Sequence, residues 1–252
     1  MKKTISVAAY NRPRNLELLL DSLKNQLLPL DEYMMYIYID GGGRNFEAVK
    51  AIAESVDFIG SRVRCSDKQR GLNQGTYNSI SWVMEEEKSD FNVYLEDDFV
   101  LSPDAFNLVE WYIEHGETLR TKPVHDVALC SLVNLHTPPG ASREEVYTCR
   151  GGGMWGFVVS QRQWVRYVKD GWMASKGSWD AVLAAWIRRN SGAVRAFPEV
   201  SRVSNTGIRG VHSDPDSLRD RLRLFTFDQE QTACEFRFTG YHNREVRAKV
   251  TK

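Results

Sequence analysis

Short apolar runs and segments of helical periodicity alternate along the first hundred residues. The apolar runs, which are short enough for strands and end in polar or glycine-rich residues, occupy positions 4–10, 34–39 and 58–65. Apolar residues at helical spacing predict helices within 15–23, 46–56 and 77–84, the first with Asn15 as its N-cap. This alternation predicts an α/β fold, a Rossmann-like, mostly parallel sheet flanked by helices.

The second half of the chain is less regular, and it shows no internal repeat or low-complexity linker. Its pattern predicts helices over 103–119, 163–168 and 181–189 and a strand over 126–132. A polar, glycine-bearing segment at 66–75 is expected to be a loop. We therefore predict a single domain over residues 1–252.

Three successive carboxylates, Glu96, Asp97 and Asp98, follow an apolar strand pattern. Adjacent carboxylates repel one another, so a folded protein tolerates them best where a cation or several donors neutralise them. Carboxylate oxygens suit Mg²⁺ or Mn²⁺, and Mg²⁺ is typically held by one or two carboxylates together with substrate phosphates. Because α/β proteins bind ligands at the carboxyl ends of strands, the triplet predicts a metal-assisted nucleotide site. The alternative is an acidic surface turn, which the flanking apolar residues disfavour.

The glycine-rich loops that commonly hold phosphates are missing from the sequence. The first strand runs into Tyr10-Asn11-Arg12-Pro13 instead of Gly-x-Gly-x-x-Gly, and Gly41-Gly42-Gly43 is not followed by Gly-Lys-Ser/Thr. A metal ion on Asp98 is therefore the natural candidate for holding phosphates. The same absence disfavours a sugar-nucleotide-forming nucleotidyltransferase, which would carry a basic glycine-rich loop after the first strand.

Two further stretches carry candidate chemistry. Glycines surround Trp155, whose indole offers a flat apolar surface of the kind on which sugars stack, although a tight bend with a core tryptophan has the same pattern. Asp180 follows Trp179 at the start of a predicted helix, where a carboxylate is either favoured by the helix dipole or available as a general base. The late polar segment 198–213 contains two arginines and could close over a diphosphate.

Composition excludes some partners and compartments. Lys+Arg and Asp+Glu number 33 each, so net charge gives no case for nucleic acid or a membrane surface. No apolar run reaches the length of a transmembrane segment, and the start does not resemble a signal peptide. The four cysteines are far apart, without zinc-ligand spacing, and are expected to be reduced thiols. We expect a cytoplasmic protein.

The motifs resemble those of metal-dependent nucleotide-sugar glycosyltransferases of the GT-A fold, and most specifically the eukaryotic N-acetylglucosaminyltransferase I family. The resemblance lies in Tyr10-Asn11-Arg12, Ile39-Asp40, the stretch from Glu96 to Asp104, Trp179-Asp180 with Ile187-Arg188-Arg189, Pro198 to Arg202, and Gly210-Val211-His212. The opening also resembles the broad bacterial inverting families. Because the membrane anchor and stem of the Golgi enzymes are absent from this sequence, we expect a bacterial relative.

The resemblance implies a role for each matching residue. Residues 1–101 would bind the nucleotide, and residues 102–252 would form the acceptor-binding half with a closing loop. Asp98 would be the single direct protein ligand of Mn²⁺ (or Mg²⁺), Asp180 the catalytic base, and Trp155 and Trp179 acceptor contacts. Contacts to the UDP-sugar donor would come from Ala9, Tyr10, Arg12, Asp40, Arg70, Glu96, Asp97, Met154, Arg209, Val211, His212 and Ser213.

The expected reaction is the inverting transfer of a sugar, such as that of UDP-GlcNAc or a related UDP-hexose, to an acceptor hydroxyl. The acceptor is left open among glycans, lipid-linked oligosaccharides, proteins and small molecules. A retaining transferase of the same fold and a catalytically inactive carbohydrate-binding or scaffold protein are the alternatives.

Overall fold

The computed structural model describes residues 1–119, 125–135, 137, 140–172, 178–190, 192–207 and 227–242, and all statements below concern these residues. The strands are β1 (Lys3–Ala9), β2 (Tyr33–Ile39), β3 (Gly60–Cys65), β4 (Phe91–Glu96), β5 (Phe99–Leu101), β6 (Val127–Ser131), β7 (Glu145–Cys149), β8 (Phe157–Ser160), β9 (Val194–Pro198), β10 (Val203–Asn205) and β11 (Arg237–Tyr241). The helices are α1 (Pro13–Lys24), α2 (Phe46–Glu54), α3 (Leu72–Ser81), α4 (Ala105–His115), α5 (Gln161–Gln163) and α6 (Trp179–Asn190). Helical turns also follow α3 at Trp82–Glu86 and α5 at Trp164–Gly171.

A nine-stranded sheet in the order β11-β7-β9-β6-β8-β4-β1-β2-β3 forms the centre of the fold. Strands β4, β1, β2 and β3 are parallel neighbours, whereas β8 runs antiparallel between β4 and β6. Helices cover both faces. The predicted α/β fold with a mostly parallel sheet is thus confirmed.

Alternating side chains of the central strands feed two apolar layers. On β4, Val93 and Leu95 join the layer that contains the buried leucines of α1, while Tyr94 joins the opposite layer. The opposite layer includes Trp164 together with Leu183 and Ile187 of α6. No described helix is both long enough and apolar enough to span a bilayer.

The first helix begins at Pro13, so the prediction of Asn15 as its N-cap was wrong. Proline is well suited to the first helical position, because its fixed backbone angle fits the helix and its missing N–H needs no partner there. Asn15 therefore lies inside the first turn, where its side-chain amide donates to the hydroxyl of Thr206 at 2.8 Å.

The expected loop over 66–75 is shorter than predicted, because α3 already begins at Leu72. Gly71 precedes the helix with a φ of +83°, a conformation that glycine adopts without steric cost. Its N–H donates to the buried carboxylate of Asp40. A contact with a residue thirty-one positions earlier in the chain thus fixes the start of this helix.

A buried ionic network ties the last described segment to the body of the fold. Arg202 has no exposed surface, and its Nε lies 2.8 Å from a carboxylate oxygen of Asp104. Its Nη2 lies 3.3 Å from Asp228, which Arg143 also contacts at 2.9 Å. The network joins Asp104, the N-cap residue of α4, to the chain between β9 and β10 and to Asp228 of the last described segment.

Candidate functional site

The predicted donor-site residues gather at the carboxyl end of the parallel strands. The N–H of Asp40 donates to the carbonyl of Ala9 at 2.8 Å, and the N–H of Asp97 donates to the carbonyl of Ala8 at 3.0 Å. Since β1, β2 and β4 are parallel neighbours, the residues that follow each strand share one edge of the sheet. This edge carries Tyr10, Arg12, Asp40, Glu96, Asp97 and Asp98.

Asp40 holds the loop between β3 and α3. Its Oδ1 accepts a hydrogen bond from the N–H of Arg70 at 2.7 Å, and its Oδ2 accepts one from the N–H of Gly71 at 2.9 Å. The carboxylate is buried, and these backbone donors satisfy it. The guanidinium of Arg70 pairs with Asp67 and is partly exposed. Contacts of Asp40 and Arg70 with a donor nucleotide stay predictions.

Arg12 pairs with two carboxylates of the triplet. Its Nη1 lies 2.6 Å from Oδ2 of Asp98, and its Nη2 lies 2.7 Å from Oδ1 of Asp97. Asp97 also accepts a hydrogen bond from the N–H of Tyr10 at 3.0 Å. The turn after β1 is therefore held against the turn after β4 by a cation and a backbone donor.

Residues 206–207, which no sequence motif connects with the triplet, lie directly over Asp98. Strand β10 pairs antiparallel with β5, which brings Thr206 next to the carboxylates. The N–H and the hydroxyl of Thr206 donate to the main-chain carbonyl of Asp98 at 2.7 and 2.9 Å. A Cβ at Gly207 would lie 2.1 Å from Oδ2 of Asp98, so only glycine fits this position without a shift. The sequence contains no local signal for this contact, because it depends on the pairing of two distant strands.

Glu96 accepts hydrogen bonds from two aromatic side chains. The hydroxyl of Tyr94 donates at 3.2 Å and the indole N–H of Trp179 at 3.1 Å, both to Oε1. Burial, with the charge of Asp98, raises the pKa of Glu96 to about 8 despite the opposing effect of Arg12. Burial likewise raises the pKa of Asp97 to about 6, although the neighbouring guanidinium opposes the shift.

Asp180 lies in the first turn of α6 and is partly exposed. Its negative charge is one of the causes that raise the pKa of Glu96, so the two carboxyl groups lie within electrostatic reach of each other. The first turn of α6 therefore faces the same end of the sheet as the triplet. Its role as a base stays a prediction.

Trp179 is part of the apolar core. Its indole is 3 % exposed and stacks on that of Trp172, with ring centroids 4.8 Å apart and planes 2° from parallel. Packing and the hydrogen bond to Glu96 account for its position. An acceptor contact by Trp179 stays a prediction, and its structural role is one that the sequence analysis did not identify.

The glycine-rich stretch before β8 contains Met154, a predicted donor contact, and Trp155, a predicted acceptor contact. Met154 is 1 % exposed and belongs to the apolar layer that also holds Trp179, whereas Trp155 is partly exposed. The buried guanidinium of Arg195 donates to the carbonyls of Arg150 and Gly151 at 3.1 and 2.6 Å. The side chain of Arg195 thus holds the main chain of this stretch in place. Sugar contacts by Met154 and Trp155 stay predictions.

The last part of the predicted closing segment, residues 208–213, lies outside the described residues. Arg209, Val211, His212 and Ser213 all belong to it, so their proposed contacts with the donor are expectations from the sequence alone.

The chemistry of the carboxylates fits a divalent metal ion that a substrate helps to hold. Asp98 is 6 % exposed, and its Oδ1 is buried without a hydrogen-bond partner among the described residues. No group of three or more His, Cys, Asp or Glu residues within the described part of the chain is arranged to hold a metal ion. A single carboxylate completed by phosphate oxygens is the arrangement that Mg²⁺ and Mn²⁺ sites commonly use.

A separate open groove of about 1020 Å³ lies between α4 and the segment that includes Cys234 and Phe236. Trp111 and Glu110 also line it, and none of the predicted site residues does. This groove is therefore not the predicted donor site.

Comparison with known proteins finds structural neighbours only. No protein-family model and no curated protein sequence matches the chain. Among solved structures, a TarS fragment (residues 1–349) from S. aureus matches with a TM-score of 0.57 and 10 % identity, over 88 % of this chain and 69 % of that chain. The same fragment in complex with UDP gives 0.53 and 12 %, over 92 % and 68 %. The chain spans 42 % of the longer TarS structure.

A second neighbour is the mannosyltransferase PcManGT from Pyrobaculum calidifontis, solved in complex with GDP-Man and Mn²⁺. It matches with a TM-score of 0.54 and 16 % identity, over 88 % of this chain and 60 % of that chain. Such identities establish likeness of fold and nothing more. The chain therefore has the GT-A-type fold of these glycosyltransferases, while a specific likeness to N-acetylglucosaminyltransferase I stays a prediction.

Proposed function

We propose that this protein is a metal-dependent, inverting glycosyltransferase that moves a sugar from a UDP-sugar to an acceptor hydroxyl. The observation that carries the proposal is the gathering of Arg12 and the buried carboxylates Asp97 and Asp98 at the carboxyl end of the parallel strands. In an open α/β sheet this end is where ligands bind. Because the pKa of Glu96 is raised to about 8, the charges of Asp97 and Asp98 remain beside one guanidinium, and they leave negative charge that a divalent cation would neutralise.

The choice of a nucleotide-sugar donor is supported by what the neighbours of this fold bind. The TarS fragment has been solved with UDP and with UDP-GlcNAc, and PcManGT with GDP-Man and Mn²⁺. We favour a uridine donor, UDP-GlcNAc or a related UDP-hexose, because the motifs around Arg12, Asp40 and Asp98 resemble those of UDP-sugar enzymes.

Asp98 is the residue that would hold the metal ion, through the buried oxygen Oδ1. Mn²⁺ or Mg²⁺ bound there with the donor phosphates would neutralise charge on the departing diphosphate. Arg12, which lies 2.6 Å from Asp98, is proposed to contribute to phosphate binding. Glu96 and Asp97 would contact the ribose and the sugar.

Asp180 is proposed as the general base. An acceptor hydroxyl is a weak nucleophile, and a carboxylate that removes its proton as it attacks the anomeric carbon lowers the barrier. Attack on the side opposite the departing diphosphate inverts the stereochemistry at this carbon. Trp155, which is partly exposed near the same end of the sheet, is proposed to contact the acceptor.

The test is a thermal-shift screen of nucleotides and nucleotide sugars, with and without Mn²⁺. A ligand at ~100 times its dissociation constant stabilises the folded state by about 2.7 kcal/mol, which a melting curve resolves. We expect a Mn²⁺-dependent shift with UDP or one UDP-sugar that is lost in Asp98→Ala. No shift with any nucleotide would instead favour an inactive carbohydrate-binding or scaffold protein, and a product with retained anomeric configuration would favour a retaining transferase.

A further inference from the structure

The guanidinium of Arg12 spans two buried carboxylates. Its two terminal nitrogens contact Asp98 at 2.6 Å and Asp97 at 2.7 Å. A planar guanidinium holds two oxygen atoms in a fixed geometry, which the point charge of a lysine does not. Arg12 is therefore the counter-ion of both carboxylates in this structure.

Asp98 is enclosed where it meets Arg12. A Cβ at Gly207 would lie 2.1 Å from Oδ2 of Asp98 and 2.8 Å from Nη1 of Arg12, so the main chain of Gly207 packs directly against the ion pair. Thr206 holds the main-chain carbonyl of Asp98 through its N–H and its hydroxyl. The carboxylate thus has little freedom to turn away from Arg12, and only Oδ1 is without a partner among the described residues.

The charge of Arg12 is firmly held. An arginine guanidinium stays protonated in proteins, and this one lies against two buried carboxylates. A divalent cation that approaches Asp98 therefore meets a permanent positive charge, and this repulsion opposes its binding. It also meets an Oδ2 that Nη1 already occupies.

We infer that Arg12 and a divalent cation compete for Asp98: a cation on Oδ1 is repelled by the neighbouring guanidinium, and it shares both carboxylate oxygens only when the guanidinium leaves Oδ2. The inference rests on the proposed function for the cation site, but it concerns the free protein rather than sugar transfer. A guanidinium that leaves Asp98 is available to a phosphate group. Arginine binds phosphate oxygens as readily as it binds carboxylate oxygens. Loading the cation would thus prepare Arg12 to receive the donor diphosphate.

The test measures Mn²⁺ binding to the nucleotide-free protein by calorimetry and by the paramagnetic resonance signal of unbound Mn²⁺. We expect Arg12→Gln to bind Mn²⁺ at least ~10-fold more tightly than the unmodified protein, because a like charge and a competitor for Oδ2 are both removed. Asp98→Asn in the Arg12→Gln background should abolish the gain. Arg14→Gln is the matched control, since Arg14 is exposed and pairs only with Glu17 among its described ionic contacts, and it should leave Mn²⁺ affinity unchanged.

Arg12→Lys keeps the test valid if Arg12→Gln fails to fold with its carboxylates unpaired. Lysine keeps the charge but cannot span both carboxylates, so its Mn²⁺ affinity should lie between those of the glutamine variant and the unmodified protein. Equal or weaker Mn²⁺ binding in folded Arg12→Gln, or in Arg12→Lys where only that variant folds, would overturn the inference. A complete lack of Mn²⁺ binding in every variant would overturn it as well.

Failure of the inference and failure of the proposed function give different results. If the unmodified protein binds a UDP-sugar but Arg12→Gln has the same Mn²⁺ affinity as the unmodified protein, the competition is refuted and the proposed function is not. A Mn²⁺ affinity that rises in Arg12→Gln, together with an unmodified protein that binds no nucleotide, supports the competition and refutes the function.

Discussion

Asp40→Asn tests whether this carboxylate anchors the loop before α3. Asp40 accepts hydrogen bonds from two backbone N–H groups, those of Arg70 and Gly71, one on each oxygen. Asparagine keeps one acceptor oxygen and replaces the other with an amide that faces an N–H donor. A hydrogen bond to a charged group contributes about 1.5–3 kcal/mol, so we expect the free energy of unfolding to fall by about 2–3 kcal/mol.

The measurement is urea unfolding followed by tryptophan fluorescence and circular dichroism. Asp67→Asn is the matched control, because Asp67 lies in the same loop and contacts Arg70 but is largely exposed. We expect its unfolding free energy to change by less than ~0.5 kcal/mol, as is usual for exposed positions. If Asp40→Asn is as stable as the unmodified protein, Asp40 does not anchor this loop. Its predicted contact with the donor would then be its only proposed role.

Four further changes test other parts of the structure. Asp180→Asn should leave UDP binding nearly intact and slow sugar transfer by at least ~100-fold in a product assay, whereas normal turnover would remove Asp180 from the mechanism. Trp179→Ala should lower the unfolding free energy by about 3–5 kcal/mol in urea titration, because it empties a packed core position, and a loss below ~1 kcal/mol would contradict the stacking. Arg202→Ala leaves buried carboxylates unpaired and should cost about 3–5 kcal/mol, so an unchanged melting temperature would contradict the network. A hydrogen bond from Lys2 lowers the pKa of Glu87 from 4.5, although burial opposes the shift. The ionised Glu87 therefore stabilises the fold fully above pH 4.5, and this stabilisation is lost as the pH falls through the lowered pKa. In Glu87→Gln, the free energy of unfolding should change less with pH over this acidic range. Parallel curves for the two proteins would exclude this contribution.

The parts of the fold that the sequence predicted depend on local pattern. The strands that become β1, β2 and β4 are short apolar runs bounded by polar or glycine-bearing turns, and their length together with these turns is the local pattern of a buried strand. The triplet at the end of β4 is equally local, since adjacent carboxylates flanked by apolar residues indicate a site where a cation or several donors neutralise them. These features led to the α/β fold and to the edge of the sheet that carries Asp98.

The parts that were missed depend on contacts between distant residues. Helix α3 begins early because Asp40 captures the N–H of Gly71, and no periodicity within the helix shows this. Trp179 is buried, and Trp172 stacks on it. The sequence around a core tryptophan can look the same as that around a ligand-binding one, so the sequence alone does not show which Trp179 is. Thr206 reaches Asp98 through the pairing of β5 with β10, two strands separated by most of the second half of the chain.

The buried arginine network also determines how the protein can be shortened for laboratory work. Strand β11 covers the outer edge of β7, and Asp228 supplies one of the two carboxylates that neutralise Arg202. A chain cut before residue 227 would leave β7 as an open sheet edge, ready to pair with another molecule. It would also leave Arg202 with half of its counter-charge. Such a fragment would aggregate, so expression variants should retain the segment through β11 even when only the donor site is under study.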